Sequence, residues 1–254
     1  MSAPNRRSFP PMLPKMQLHL PGVDMMTGFV ITLVLIHMVL ERAGGPLEAP
    51  QYYLNFGLSW AEFSAGKIWQ LISHALIHAN WFHLVINLLM LWLVGGRVIH
   101  ILGYRGWLKI VFWGILVGGL LHLLTGLILT HLGYPERHLV WGSCACLGLL
   151  VALTTLSPDS KMWPIPISGK NLGLGLIFAE LLLCLMQPGF NLPVFSTMGA
   201  SMVAWGGASL FQISHACHLG GALAGWWIAR RLLAPPPTLE ELQKLRVDRE
   251  GDMD

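Results

Sequence analysis

Long apolar runs at 25–40, 82–102, 108–132, 139–156, 172–186 and 213–233 alternate with short stretches marked by charge, proline or glycine. A helix needs about 20 apolar residues to cross a hydrocarbon core of about 30 Å, so this pattern predicts six membrane-spanning helices, the first and fifth of them short. The fold class expected is therefore all-α, a polytopic helical bundle over residues 23–233. A polar, proline-interrupted segment (1–22) precedes it and a proline-rich, then charged, tail (234–254) follows. In the tail, Thr238-Leu239-Glu240-Glu241 fits a capping box ahead of a short helix.

The connections differ in character. Residues 41–81 form a long loop carrying Trp60, Phe63, Ile68, Trp69, Leu71 and Ile72, aromatic enough to lie at the membrane interface and be partly embedded. Residues 103–107, 133–138 and 157–170 read as plain connectors. The stretch 187–212 has two prolines, several glycines and no charged residue, and reads as a flexible apolar cap.

Composition agrees with the pattern: of 254 residues, 54% are hydrophobic and only 11% charged, against about a quarter in soluble domains. The formal charge of +3 comes from scattered basic residues rather than a patch, so no nucleic-acid partner is expected. Their distribution sets orientation. With the N-terminus cytoplasmic, thirteen Lys and Arg fall inside and three, Arg42, Lys67 and Arg137, outside, which places both termini in the cytoplasm. Arg6-Arg7 is followed by proline-rich sequence without a cleavable apolar segment, so the first span is expected to be retained. The cysteines, Cys144, Cys146, Cys184 and Cys217, all fall in predicted spans and read as small packing residues.

Span parity then brings three polar residues together. Asn87, Ser143 and His218 lie near the starts of the second, fourth and sixth spans, which all begin on the same side, opposite the N-terminus. Polar groups inside a bilayer are costly, and a shared site near one surface accounts for them. A serine hydroxyl attacks a carbonyl only when a base takes its proton, and the oxyanion that forms needs preplaced donors. Ser143 can supply the nucleophile and His218 the base. Asn87 can donate to the oxyanion, helped by His83 one turn earlier and by the Ser143 amide. No acid is expected at this depth, so the inventory permits a Ser–His dyad rather than a triad. Glu180, the one acid within a predicted span, reads as a protonated or hydrogen-bonded structural group without an evident partner, and His215 as lining or packing. Cys144 competes with Ser143 as nucleophile, but consecutive helical side chains point about 100° apart, so only one can face His218.

The chain resembles the rhomboid intramembrane serine proteases. His78-Ala79-Asn80-Trp81-Phe82-His83-Leu84-Val85-Ile86-Asn87 is similar to the family's second-span motif, with Gly95-Gly96 matching the glycine pair near its inner end. Cys217-His218-Leu219-Gly220-Gly221-Ala222-Leu223-Ala224-Gly225 is similar to the sixth-span motif that carries the catalytic histidine. Trp69 ahead of His74 and His78 is similar to the embedded first loop. The resemblance runs over roughly residues 25–232. It implies a Ser143–His218 dyad, an oxyanion role for His83 and Asn87, transmembrane protein substrates and membrane lipids as partners, a gate at the fifth span and the 187–212 cap, and no metal or organic cofactor. A bacterial inner membrane is the expected location.

Three positions depart from the family pattern. Gly-x-Ser-Gly reads here as Trp141-Gly142-Ser143-Cys144, Gln70 stands where an arginine usually follows the loop tryptophan, and Ile99 where a glutamate usually follows the glycine pair. Gly148, five positions after the serine, still offers a small residue where the dyad's helices must approach, as do Gly221 and Gly225 at four-residue spacing. The altered serine surroundings leave an alternative open: a catalytically inactive rhomboid-like protein that binds transmembrane segments. A small transporter is less supported, without internal repeats or paired intramembrane charges. Metal chemistry at His74 and His78 lacks the intervening glutamate of a zinc protease, and an aspartyl protease would need two aspartates within spans. The sequence sets no oligomeric state.

Overall fold

The computed structural model describes residues 24–135, 138–140, 142–162 and 166–233. Expectations for 1–22, the 234–254 tail with its capping box, Arg137 and Trp141 fall outside the described residues. Among the described residues the architecture is all-α apart from one short hairpin, Lys161–Met162 paired antiparallel with Ile167–Ser168.

Helix α1 (Met25–Arg42) begins where Asp24 Oδ1 accepts the Thr27 amide at 2.7 Å. These bonds from the Thr27 backbone hold the Asp24 carboxyl below its ordinary range. Four short helices follow in the long loop: α2 (Gly45–Glu48), α3 (Pro50–Phe56), α4 (Trp60–Ser64) and α5 (Gln70–Ser73). Helix α6 (Trp81–Met90) passes through a π turn (Leu91–Gly95) into α7 (Gly96–His131). This 51-residue run would be about 76 Å long if straight, more than twice a hydrocarbon core. Gly103 breaks it with φ 70° and ψ 176°, a backbone conformation only glycine adopts freely. The connector expected over 103–107 is thus a single residue, because glycine can reverse the chain without a longer loop.

The remaining helices are α8 (Ser143–Leu156), α9 (Gly169–Leu185), α10 (Phe195–Ala204) and α11 (His215–Leu233). Helix α8 starts four residues later than the apolar pattern suggests. Leu139 instead exchanges backbone hydrogen bonds of 2.8 Å in both directions with Leu58, tying the α7–α8 connection to the long loop. The 187–212 stretch is more ordered than its glycines and prolines imply. It folds as α10 between two 3₁₀ turns, with Ser196 Oγ donating to Gln187 O and accepting the Leu192 amide.

Helix α11 lies at the centre, packed on α7, α8 and α9. Glycines set its distance from them. A Cβ on Gly221 would sit inside the radius of the Cys144 carbonyl oxygen, one on Gly225 inside that of Gly148 O, and one on Gly148 would come 2.8 Å from Gly221 O. Gly118 and Gly220 meet in the same way between α7 and α11. The close approach expected at Gly148, Gly221 and Gly225 is present. Small residues are how helices gain contact where lipid supplies no hydrophobic drive.

The core formed by Leu33, Leu84, Leu91, Trp107, Ile110, Leu149 and Ile228 lies between α1, α6, α7, α8 and α11. The outward faces are also apolar, with Leu35, Val39, Phe82, Leu93, Phe112 and Phe178 exposed. Such a surface suits lipid, not water. Met25–Arg42 and Trp81–His131 are long and apolar enough to cross a membrane.

Gln70 explains how the long loop holds without an arginine at that position. Its side chain is fully buried, with Nε2 donating to Leu54 O at 2.9 Å and Oε1 accepting the Ser59 amide at 3.4 Å. Trp69 Nε1 and Ser73 Oγ donate to Asn55 O and Phe56 O beside it. Ile99 packs against the core as an apolar side chain. Gln70→Ala strands these buried backbone groups, at about 1 to 3 kcal/mol each. The expected result is a lower melting temperature in detergent, with earlier amide exchange over residues 50–75 than elsewhere. Uniform exchange would contradict the anchoring role.

Candidate active site

The starts of α6, α8 and α11 and the end of α9 meet at one end of the bundle. Ser214 sets the start of α11: its Oγ accepts the Cys217 amide at 3.3 Å and its carbonyl oxygen accepts the His218 amide. His122 Nδ1 lies 2.9 Å from the same Oγ, linking α7 to this cap. His218 therefore sits in the first turn of α11, and Ser143 is the first residue of α8. Ser143 Oγ and His218 Nε2 are 2.8 Å apart.

That contact has a direction. His218 Nδ1 lies 3.0 Å from Glu180 Oε1 on α9. A carboxylate only accepts, so Nδ1 carries the proton and Nε2 presents its lone pair to the Ser143 hydroxyl. The second carboxylate oxygen of Glu180 lies 2.6 Å from His215 Nδ1, and His215 Nε2 lies 2.9 Å from Leu210 O. Two sequence-based expectations are corrected here. An acid does lie at the depth of the Ser–His pair, and Glu180 has partners, His215 and His218. The reason is geometric: α9 runs toward this end, so Glu180 is five residues, about 7.5 Å, from its terminus, close to the depth of His218 in the first turn of α11. His215 is a hydrogen-bonded member of this group rather than simple packing.

Asn87 is nearly fully buried on α6, beside α8, where its carbonyl oxygen accepts from Cys146 Sγ at 3.6 Å. Its amide Nδ2 is buried with no hydrogen-bond partner, a state uncommon for a buried donor. It borders a cavity of about 10 Å³, room for one water, lined also by His78, Gly142, Ala145 and Cys146. His83 lies in the first turn of α6, its amide bonded to Asn80 Oδ1 at 2.9 Å and its ring centred 6.4 Å from that of His78. At the start of α8 the amides of Ala145 and Cys146 donate to Gly142 O, whereas the Ser143 N–H, at the first helical position, has no acceptor within the helix and is a further donor at this point.

Cys144 has other neighbours than the Ser143–His218 contact. It is fully buried beside Cys217 and His74, whose potential ligand atoms lie within 4.8 Å of one another. His74 Nδ1 lies 2.8 Å from Gln70 O and faces an acceptor, which leaves Nε2 toward the thiols. Glu180, His215 and His218 form a second group of that spacing among the described residues, and their ring and carboxylate atoms are engaged with one another and with Ser143. His74 and His78 do not share a helical face, since α5 ends at Ser73.

A cavity of about 140 Å³ adjoins the group between α7, α9 and the start of α11, with His122, Thr125, Gln212, Ser214 and His215 among its polar lining. It reaches the group at His215 and Ser214.

The sequence matches the rhomboid domain over residues 65–235, two thirds of the chain and all the elements that build this site. The chain belongs to the rhomboid family. It is similar to the rhomboid protease GlpG of Serratia proteamaculans (strain 568), 31% identical over a stretch that takes in 34% of this chain and 38% of that relative. The chain thus matches about two fifths of the length of this curated relative. Family membership and the lipid-facing helices make it an integral membrane protein.

Proposed function

We propose that this rhomboid is an intramembrane serine endopeptidase that cleaves membrane-anchored proteins. The observation that carries the reading is the 2.8 Å contact between Ser143 Oγ and the unprotonated face of His218, at helix ends inside a lipid-facing bundle. Six spans are assigned: α1, the 81–102 and 104–131 halves of the long helical run, α8, α9 and α11. Helix α8, at 14 residues and about 21 Å, is shorter than a hydrocarbon core. Its first residue, Ser143, is accordingly recessed below one membrane surface, and water would reach it from the side of the 140 Å³ cavity that His215 and Ser214 line.

The chemistry follows from the geometry. His218 Nε2 takes the Ser143 proton as Oγ attacks the scissile carbonyl. In this reading the Asn87 amide, His83 and the Ser143 N–H serve the developing oxyanion, each such donor worth about 3 to 4 kcal/mol. His218 then protonates the leaving amine, and water repeats the sequence on the acyl-enzyme. A helical amide is already hydrogen-bonded and sterically covered, so substrates are transmembrane segments weakened by glycine or proline near the site. Both termini lie in the cytoplasm and the site faces the opposite side, in the plane of a bacterial inner membrane.

The test is reconstitution in vesicles with a single-span protein bearing a glycine- and proline-interrupted segment, read by product mass. Two fragments are expected, produced by hydrolysis of one peptide bond near the outer surface. A substrate that co-purifies uncut would establish the non-cleaving binder instead. Asn87→Ala should slow cleavage by about 10²- to 10³-fold with little change in thermal stability, since the lost amide has no partner in the resting site. An unchanged rate would remove Asn87 from the oxyanion site.

A further inference from the structure

We infer that Glu180 is a positioning residue for His218, completing a Ser143–His218–Glu180 relay, and that it does so as a latch holding α9 against α11. The inference rests on the protease reading and adds to it a third group and a reason for the placement of α9.

One carboxylate serves two histidines. Oε1 faces His218 Nδ1 and Oε2 faces His215 Nδ1. Both His215 ring nitrogens face acceptors, Glu180 on one side and Leu210 O on the other. Donation to both requires a proton on each nitrogen. The carboxylate is thereby hydrogen-bonded on both oxygens inside the bundle instead of standing as a bare ion. His218 can then stay neutral, with its proton fixed on Nδ1, and is ready to accept from Ser143. When that proton arrives, the imidazolium forms against a carboxylate already in place.

The same contacts hold α9. Of its residues, Gly169 and Gly173 alone are buried, both at the end remote from the site. Gly173 packs against Thr154 of α8 there. Leu174, Phe178 and Leu181 are exposed. Near the site, the hydrogen bonds that join α9 to α11 are those of Glu180. A polypeptide entering between these helices would have to break the latch, and the base would be fully oriented only once α9 closed again.

Glu180→Gln separates this role from packing, because it keeps shape and volume. Whichever way the amide turns, its NH₂ faces a ring nitrogen that had been donating, and the tautomers are disturbed. The experiment compares wild type, Glu180→Gln, Glu180→Asp and Leu181→Ala in detergent by the rate of covalent labelling with a fluorophosphonate, by kcat and KM on a single-span substrate, and by melting temperature. Glu180→Gln is expected to lower labelling and kcat at least tenfold, toward the ~10⁴-fold seen when a triad acid becomes an amide, with KM little changed. Glu180→Asp should recover part of the rate despite its larger packing defect, and Leu181→Ala should match wild type. Equal labelling of Glu180→Gln and wild type would overturn the inference while leaving the protease reading intact, as would an aspartate variant no faster than the glutamine variant. A folded wild type that never labels would refute the protease reading and this inference with it.

Discussion

Alanine at Gly221 is expected to separate α8 from α11 and to abolish both native stability and activity. The added methyl would overlap the Cys144 carbonyl oxygen, a backbone atom that no rotamer change can move. Overpacking a close-packed site costs about 1 to 3 kcal/mol when side chains can yield, and at this position the helices themselves must part. Gly221 lies three residues after His218, and Cys144 one residue after Ser143. The displacement therefore falls on the Ser143–His218 contact as well as on the packing. Thermal unfolding in detergent should show a fall of several degrees or outright aggregation, and whatever remains folded should not label. Gly175→Ala, on α9, where nothing lies within 4 Å of an added methyl, is the control and should keep wild-type stability. Equal melting temperatures for Gly221→Ala and wild type would mean that α8 and α11 are not packed as described.

Ser143→Ala and His218→Ala should each reduce cleavage by ~10⁴-fold or more, and the double variant should be no worse than either alone. Groups that act as one unit fail together: without the imidazole the hydroxyl keeps its proton, and without the hydroxyl the imidazole has nothing to activate. Cys144→Ala is the informative contrast. Its thiol is fully buried beside Cys217 and His74, and the ring nitrogen of His218 is engaged by Ser143, so activity should persist, with at most a modest loss of stability. Cleavage that survives Ser143→Ala and vanishes in Cys144→Ala would reverse the assignment of the nucleophile.

How much of this was legible in the chain differs by element. Ser143 and His218 could be paired from sequence because span parity fixes which ends share a side. Gly221 and Gly225 announced the helix approach by their spacing. The acid was hidden because Glu180 is on an odd-numbered span, running the opposite way, where depth must be counted from the far end. Six residues from residue 186 against five from residue 213 gave the signal, and it was open to that arithmetic. The late start of α8 was not legible at all: Leu139-Val140 continue the apolar run, yet Leu139 is drawn into a backbone bridge with Leu58, a partner 81 residues away. Similarly, a glycine- and proline-marked cap concealed α10, whose anchor is one serine between Gln187 and Leu192. A tertiary backbone bridge decided the first and a local side-chain anchor the second.

The most direct measurement is peptide mapping by mass spectrometry after fluorophosphonate treatment of the folded wild-type protein. A single phosphonyl adduct on Ser143, absent when His218 is alanine, is the result this mechanism requires. An adduct on Cys144, or none on Ser143 in protein that melts cooperatively, would contradict it.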